Sequence, residues 1–453
     1  MPIKLFNEFT PVSSKQWKQK IQFDLKGADY NEALIWQTPE DIAVKPFYHA
    51  DEFSNSSGNS NTKATNWKIC QTIYVFDVEK SNIKALEILE KGVDTLTFII
   101  PSKDIALKNL LKNIDKQTPI YFNLEFMSED YITNILLLFP LANITIDPIG
   151  NLAKTGNWHT NITTDFNQFQ SITNRTNAIS IDISLYQNAG ANMVQQLAYG
   201  LNHANEYLNK LDKHISKEKK ELFKIIFNVA VGSNYFFEIA KLKALRILWK
   251  TLATEYQFNQ DCQIIVTPTK RNKTLYDYNT NLLRSTTECM SAIIGGANTI
   301  CNLAYDAFYH KSNTFAERIA RNQLLILKHE SYFDKVNNPS DGAYYIENIT
   351  QQFSEKALTL FKDIENNGGF LEQLKLGTIQ RKIKESATKE QLQFDSGDLI
   401  LLGSNAYPNP NDKMKTELEL FPFVKTNKRK TLIEPIIEKR LAETLEQNRL
   451  NKE

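Results

Sequence analysis

The chain has 453 residues, of which 42% are apolar and 23% charged, an ordinary globular make-up with room for one barrel-sized domain and extensions. With 53 basic against 52 acidic residues the net charge is +1, too balanced for the long-range field of a nucleic-acid-binding surface. The four cysteines, Cys70, Cys262, Cys289 and Cys301, form no C-x-x-C pair and are too few for a disulfide framework. No apolar run approaches the roughly 20 residues of a membrane span. No secretory leader is visible either, so a cytoplasmic protein is expected.

Residues 1–50 read as an N-terminal arm. Ser13 or Ser14 can cap a helix in which Trp17, Ile21 and Leu25 recur at i, i+4 and i+8. The aromatic-rich stretch beyond it, with Tyr30, Trp36, Phe47 and Tyr48, has no second layer of its own and must lie against another surface. Residues 51–71 form a Ser/Asn/Gly-rich lead-in that reads as a loop. From 72 to 331 strand-type and helix-type runs alternate. The strands are expected at Thr72–Val78, Thr95–Pro101, Ile120–Phe126, Ile144–Ile149, Ala178–Ser184, Lys224–Val231, Gln263–Thr267 and Asn298–Leu303. Between and after them come helices at Lys84–Lys91, Ile105–Ile114, Asp130–Phe139, Asn192–Leu211, Tyr235–Tyr256, Tyr278–Ile294 and Thr314–Ser331.

Near-continuous apolar strands suit a parallel sheet covered by helices, and eight such units in series predict a (β/α)₈ barrel rather than an open doubly wound sheet. The strand aromatics Tyr74, Phe76, Phe98, Phe122 and Phe227 would, with half facing inward, fill a closed interior. Residues 332–400 add helices at Ile349–Glu365 and Leu371–Glu385. Residues 401–453 read as a linker and a charged helix, Pro435–Leu450. Its apolar stripe of Ile436, Ile437, Leu441, Leu445 and Leu450 wants a partner surface.

Chemistry-bearing motifs are sparse. The six histidines show no zinc spacing, and there is no P-loop, G-x-S-x-G or strand-borne G-x-G-x-x-G. His214, in Asp212-Lys213-His214-Ile215-Ser216-Lys217, reads as a solvated histidine at a helix end. Asp182 and Glu125 lie on strands, where a carboxylate serves either as an acid/base group or as a structural partner.

Longer patterns carry a resemblance. Trp17 with Asp24-Leu25-Lys26-Gly27-Ala28-Asp29-Tyr30, then Trp36 and Lys45-Pro46-Phe47-Tyr48, resembles the N-terminal arm of the methylmalonyl-CoA mutase family. Asn177-Ala178-Ile179-Ser180-Ile181-Asp182 running into Gln187-Asn188-Ala189-Gly190-Ala191 is similar to that family's strand-5 segment and loop. Lys243-Ala244-Leu245-Arg246 with Leu248-Trp249, and Ala316-Glu317-Arg318-Ile319-Ala320-Arg321-Asn322-Gln323, resemble two of its helices. The matches keep one order over roughly residues 15 to 370.

The resemblance also shows what this chain departs from. The family's active barrels are lined with small polar residues so that coenzyme A can thread the axis. Their strand-5 loop carries a histidine for the thioester carbonyl; aligned on Ala189-Gly190-Ala191, that position is Leu185, and Gln187 is a second altered position. A side chain of carbon alone donates no hydrogen bond. The arginine that holds the acyl carboxylate has no counterpart between Pro148 and Asn177, and the active-site tyrosine segment is missing near Asp51–Thr65. The D-x-H-x-x-G loop that ligates cobalt is not matched at His214, because Lys217 stands in place of its glycine. The resemblance therefore implies a small, non-catalytic subunit that binds no cofactor or metal itself. Its partner would be a large catalytic subunit carrying adenosylcobalamin, in a heterodimer that interconverts methylmalonyl-CoA and succinyl-CoA. Trp17, Leu25, Lys26, Tyr30, Trp36, Phe47 and Tyr48 would form the intersubunit arm, and removing residues 1–48 would leave the barrel folded. The alternatives are an active acyl-CoA mutase barrel served by a separate cobalamin-binding subunit, and an unrelated barrel enzyme using Asp182 or Glu125.

Overall fold

The computed structural model describes residues 8–53, 64–425 and 428–453. Its centre is a sheet of eight parallel strands: β1 Lys68–Tyr74, β2 Thr95–Ile100, β3 Ile120–Leu124, β4 Asn143–Thr145, β5 Ala178–Asp182, β6 Lys224–Val231, β7 Gln263–Pro268 and β8 Thr299–Cys301. The hydrogen-bonded order is β4-β3-β2-β1-β8-β7-β6-β5. The two edge strands meet at a seam closed by other bonds. Ser180 Oγ donates to the Ile146 carbonyl at 3.3 Å, and the Asp182 N–H donates to the Asp147 carboxylate at 2.9 Å. The expected (β/α)₈ barrel is what the chain forms, with helices between successive strands.

Strand ends differ from expectation where a cap intervenes. β1 stops at Tyr74 because Asp77 caps the helix Val78–Glu90, its side chain accepting from the Lys80 N–H. β4 stops at Thr145 because Asp147 caps helix α1, Pro148–Thr155, and Pro148 occupies its first turn. The run read as Ile105–Ile114 holds only the short turn Leu107–Leu110, while Asn161 caps an unexpected helix, Ile162–Thr176. Helix α2, Met193–Leu211, and helix α3, Tyr235–Tyr256, pack with α4, Tyr344–Asn366, on one flank. Phe237 meets Phe353 edge-on at 5.4 Å between ring centroids.

The strand aromatics do not fill the barrel. Phe98, Phe122 and Phe227 are fully buried on the outer side of the sheet, Phe98 against Phe122 at 5.8 Å and Phe227 against Trp249 at 5.8 Å. Tyr74 is half-exposed and Phe76 is 90% exposed. Because strand side chains alternate, putting Phe98 outside puts Thr97 inside, and likewise Asn123 and Asn228 line the lumen beside Thr72 and Thr267. The interior is thus small and polar above one layer of Cys70, Tyr121, Ile226, Ile265 and Cys301.

The C-terminal stripe finds its surface on the chain's own barrel. Only Glu443–Leu450 is helical, and the preceding residues run extended across the loops at the strand C-termini. The Ile436 N–H donates to the Ala153 carbonyl, the Lys439 N–H to that of Asn188 and the Leu441 N–H to that of Arg271. Ile436 and Leu441 are buried there, whereas Ile437 stays half-exposed. Among the described residues no helix is long and apolar enough to cross a membrane.

Candidate functional site

A cavity of about 530 Å³ opens at the C-terminal ends of the strands, lined by the lumen residues and by Asp147, Lys154, His159, Asp182, Ser184 and Leu185. This is the end at which barrel enzymes place their chemistry. Asp147 anchors one wall. Its carboxylate accepts from the Gly150 N–H at 2.7 Å, from His203 Nε2 at 2.9 Å, from the Asp182 N–H at 2.9 Å and from the Tyr207 hydroxyl. His203 Nδ1 lies 3.0 Å from the Tyr186 hydroxyl, so a buried chain of polar groups runs from the cavity wall into α2. His203 and Tyr207 share one face of that helix because they are four residues apart. A Cβ at residue 150 would collide with the Asp147 carboxylate, which explains the glycine.

The two carboxylates at the seam are driven apart. Burial pushes Asp147 upward, but the charge and hydrogen bond of His203, with Tyr207 and the Asp182 N–H, outweigh it and leave its acid strength above that of an ordinary carboxyl. Asp182 goes the other way: burial raises it, the Ser184 bonds only partly offset this, and the charges of Asp147 and Glu438 add to the rise. Its Oδ1 accepts from the Ser184 N–H at 3.0 Å and from Ser184 Oγ at 2.5 Å. Glu125 lines the same cavity, so the two strand carboxylates singled out from sequence do share a site. Asp147, His203, Tyr207 and Lys154 were not anticipated. The Asp-Pro cap signal and the His/Tyr spacing of four were the available clues.

Leu185 lines the cavity and is buried. Gln187 does not reach it. Its Nε2 donates to Glu238 at 3.1 Å and its Oε1 accepts from Lys241 Nζ at 2.8 Å, inside a buried cluster that also holds Gln196. Arg175, the arginine between Pro148 and Asn177, sits on the outer helix and donates to Thr133 Oγ1 at 3.0 Å. The span in which a tyrosine motif was sought falls largely on residues 54–63, outside the described residues.

The arm lies on its own barrel through its second half and stands off through its first. Tyr30 is buried, with Lys18 Nζ 4.6 Å from its ring centroid, and Trp36 rests 5.6 Å from Phe237 while remaining 50% exposed. Tyr48 meets Tyr345 at 5.5 Å, and Trp17 stacks on Phe47 at 4.5 Å. The helix Ser14–Asp24, closed by a Ser13/Gln16 capping box, has no buried residue. Leu25 is half-buried, and Lys26 is exposed in a left-handed turn.

His214 is exposed beyond the end of α2, and Lys217, where a close backbone approach would need glycine, begins the helix Lys217–Glu221. No group of three or more potential ligands capable of holding a metal ion occurs among the described residues.

The chain is thus a parallel (β/α)₈ barrel whose polar lumen opens at the strand C-termini. The sequence model of methylmalonyl-CoA mutase matches residues 146–451. The chain is 34% identical to the methylmalonyl-CoA mutase small subunit of Porphyromonas gingivalis, over 90% of this chain and 71% of that one. It is 26% identical to the small subunit of Streptomyces virginiae, over 90% and 72%. To the methylmalonyl-CoA mutase of Cereibacter sphaeroides it is 27% identical, over 86% of this chain and 64% of the relative. The chain belongs to the methylmalonyl-CoA mutase family.

Proposed function

We propose that this chain is the non-catalytic small subunit of an adenosylcobalamin-dependent methylmalonyl-CoA mutase, pairing with a large subunit that performs the isomerisation. The observation that carries the reading is Leu185. It lines the cavity at the position where the resemblance places the thioester-binding imidazole, and a hydrocarbon side chain can neither donate to nor polarise a carbonyl. Arg175 pointing to Thr133 on the outer helix, and Lys217 where the resemblance would place a cobalt-loop glycine, support the same reading. The small-subunit names of two relatives support a heterodimer. Trp17, Leu25, Lys26, Tyr30, Trp36, Phe47 and Tyr48 would belong to the joining arm, in which Trp17 at 47% and Trp36 at 50% exposure offer aromatic anchors.

A second reading, an active barrel served by a separate cobalamin protein, draws support from the open polar lumen and from Asp182 and Glu125 within it. One experiment separates them. The purified chain, given methylmalonyl-CoA and adenosylcobalamin, should produce no succinyl-CoA, and co-expressed with the large chain it should elute in a one-to-one complex. Turnover by this chain without the large chain, once the cofactor is supplied on a separate cobalamin-binding protein, would establish the second reading instead.

A further inference from the structure

Two of the four cysteines meet inside the barrel. In the ladder between β8 and β1, Cys301 is the direct register partner of Cys70. Both are free thiols belonging to the one lumen layer, and Cys301 also lines the solvent-facing cavity. Neighbouring strands bring opposed Cα atoms to about 4.8 Å, within the window of roughly 4.4–6.8 Å that a disulfide spans. Cys70 Sγ lies 3.2 Å from Thr97 Oγ1, so a hydroxyl is at hand beside the pair. Neither of the other two cysteines is opposed to a cysteine in the strand ladders. Cys262 faces the outer core next to Arg246, and Cys289 reaches Asn302 at 3.6 Å.

We propose that Cys70 and Cys301 are a redox-active dithiol, closing to a disulfide across β8 and β1 when a small disulfide enters the lumen. The Cys301 thiolate attacks one sulfur of the entering disulfide, the sulfur–sulfur bond breaks and one thiolate leaves. The Cys70 thiol then gives its proton to solvent, its thiolate attacks Cys301 Sγ and the second small thiolate leaves, both leaving thiolates taking up protons from solvent. Two protein thiols are oxidised and one small disulfide is reduced to two thiols. The roles follow from the surroundings. Burial holds the Cys70 thiol well above its ordinary range, whereas the hydrogen bond from Cys70, with the Thr72 and Thr97 hydroxyls, makes Cys301 the easier of the two to ionise.

The test treats the full chain with bis(2-hydroxyethyl) disulfide. The intact mass should fall by two hydrogens, peptide mapping should join Cys70 to Cys301, and Cys262 and Cys289 should remain open to alkylation after unfolding. Circular dichroism should not change, and dithiothreitol should restore all four thiols. In Cys70→Ser the second step is blocked, so Cys301 should keep one hydroxyethylthio adduct. Four intact thiols, a crosslink involving Cys262 or Cys289, or a Cys70→Ser protein without adduct would overturn the proposal. The wild-type peptide map decides the matter should that variant fail to fold.

Discussion

At the seam of the barrel, Asp147 and Asp182 show how one strand's distance separates two carboxylates in chemistry. Asp147 has its folded-state acidity strengthened, so its stabilising effect is present above the ordinary carboxylate range and is lost as pH falls through its lowered value. Asp182 is raised, so its contribution is complete below the ordinary range and is lost as pH rises through its folded value. Asp182→Asn should therefore stabilise the chain at neutral pH, and the gain in urea midpoint should shrink as pH drops through the carboxylate range. Equal midpoints for the two proteins at neutral pH would contradict this. Asp147→Ala strands the donors of Gly150, Asp182, His203 and Tyr207 and should cost about 3 kcal/mol or more by equilibrium unfolding. Sequence pattern reached Asp182 because a carboxylate within an apolar strand is conspicuous. It missed Asp147 because Ile144–Ile149 looks like one apolar run, although the aspartate and proline inside it start a helix. Leu185 could be placed beside the site only through family resemblance, since a leucine carries no chemical signal of its own.

Among the elements, the long helices and buried strands were legible because their periods are strong: Tyr235–Tyr256 and Lys224–Val231 lie where the pattern puts them. Which way a strand faces was not legible, because an unbroken apolar run fits either side of a sheet until the helices cover one. That is why Phe98 and Phe227 could be read as lumen-filling. The C-terminal segment was read as seeking a partner, and its partner is the loop after β7. Arg440 donates to the Lys273 carbonyl at 3.0 Å and to the Pro422 carbonyl at 3.2 Å, and it pairs with the buried Glu446 at 2.7 Å. Glu446 in turn accepts from the Leu275 N–H at 2.6 Å. Arg440→Ala leaves the buried Glu446 carboxylate without its counter-charge and the Lys273 and Pro422 carbonyls without this donor, and should cost about 3–5 kcal/mol. Amide exchange should quicken first across residues 269–276 while β6 stays protected. Arg440→Lys should rescue little, because one ammonium cannot span the guanidinium's divergent bonds. Uniform exchange in the alanine variant would show that the segment does not secure this loop.

For the whole molecule, the arm poses the question of which contacts belong to the chain and which to a partner. The sequence suggested that residues 1–48 could be removed without harm to the barrel. The structure divides them differently. Ile42 is fully buried and belongs to the main core, its N–H donating to the buried Thr38 Oγ1 at 3.3 Å, and Tyr30 is buried as well. Removing residues 1–48 would strip a core isoleucine and a buried tyrosine at about 1.5–3 kcal/mol each, so lost association could not be distinguished from lost fold. The helix Ser14–Asp24, by contrast, has no buried residue and touches the rest of the chain chiefly where Trp17 stacks on Phe47, while its Phe23 is 79% exposed. A single helix of this length is marginal in water without a surface to pack on. Deleting residues 1–26 should accordingly leave the unfolding free energy of the isolated chain, read by urea titration, within about 1.5 kcal/mol of wild type, the share of the Trp17–Phe47 stack. The same deletion should weaken assembly with the large chain by at least 100-fold, as loss of an aromatic hot spot does. Titration calorimetry with both truncations beside the full chain reads the two effects separately. If the short truncation binds as tightly as the full chain, the partner contacts lie beyond residue 26 and the exposed helix serves no role in assembly.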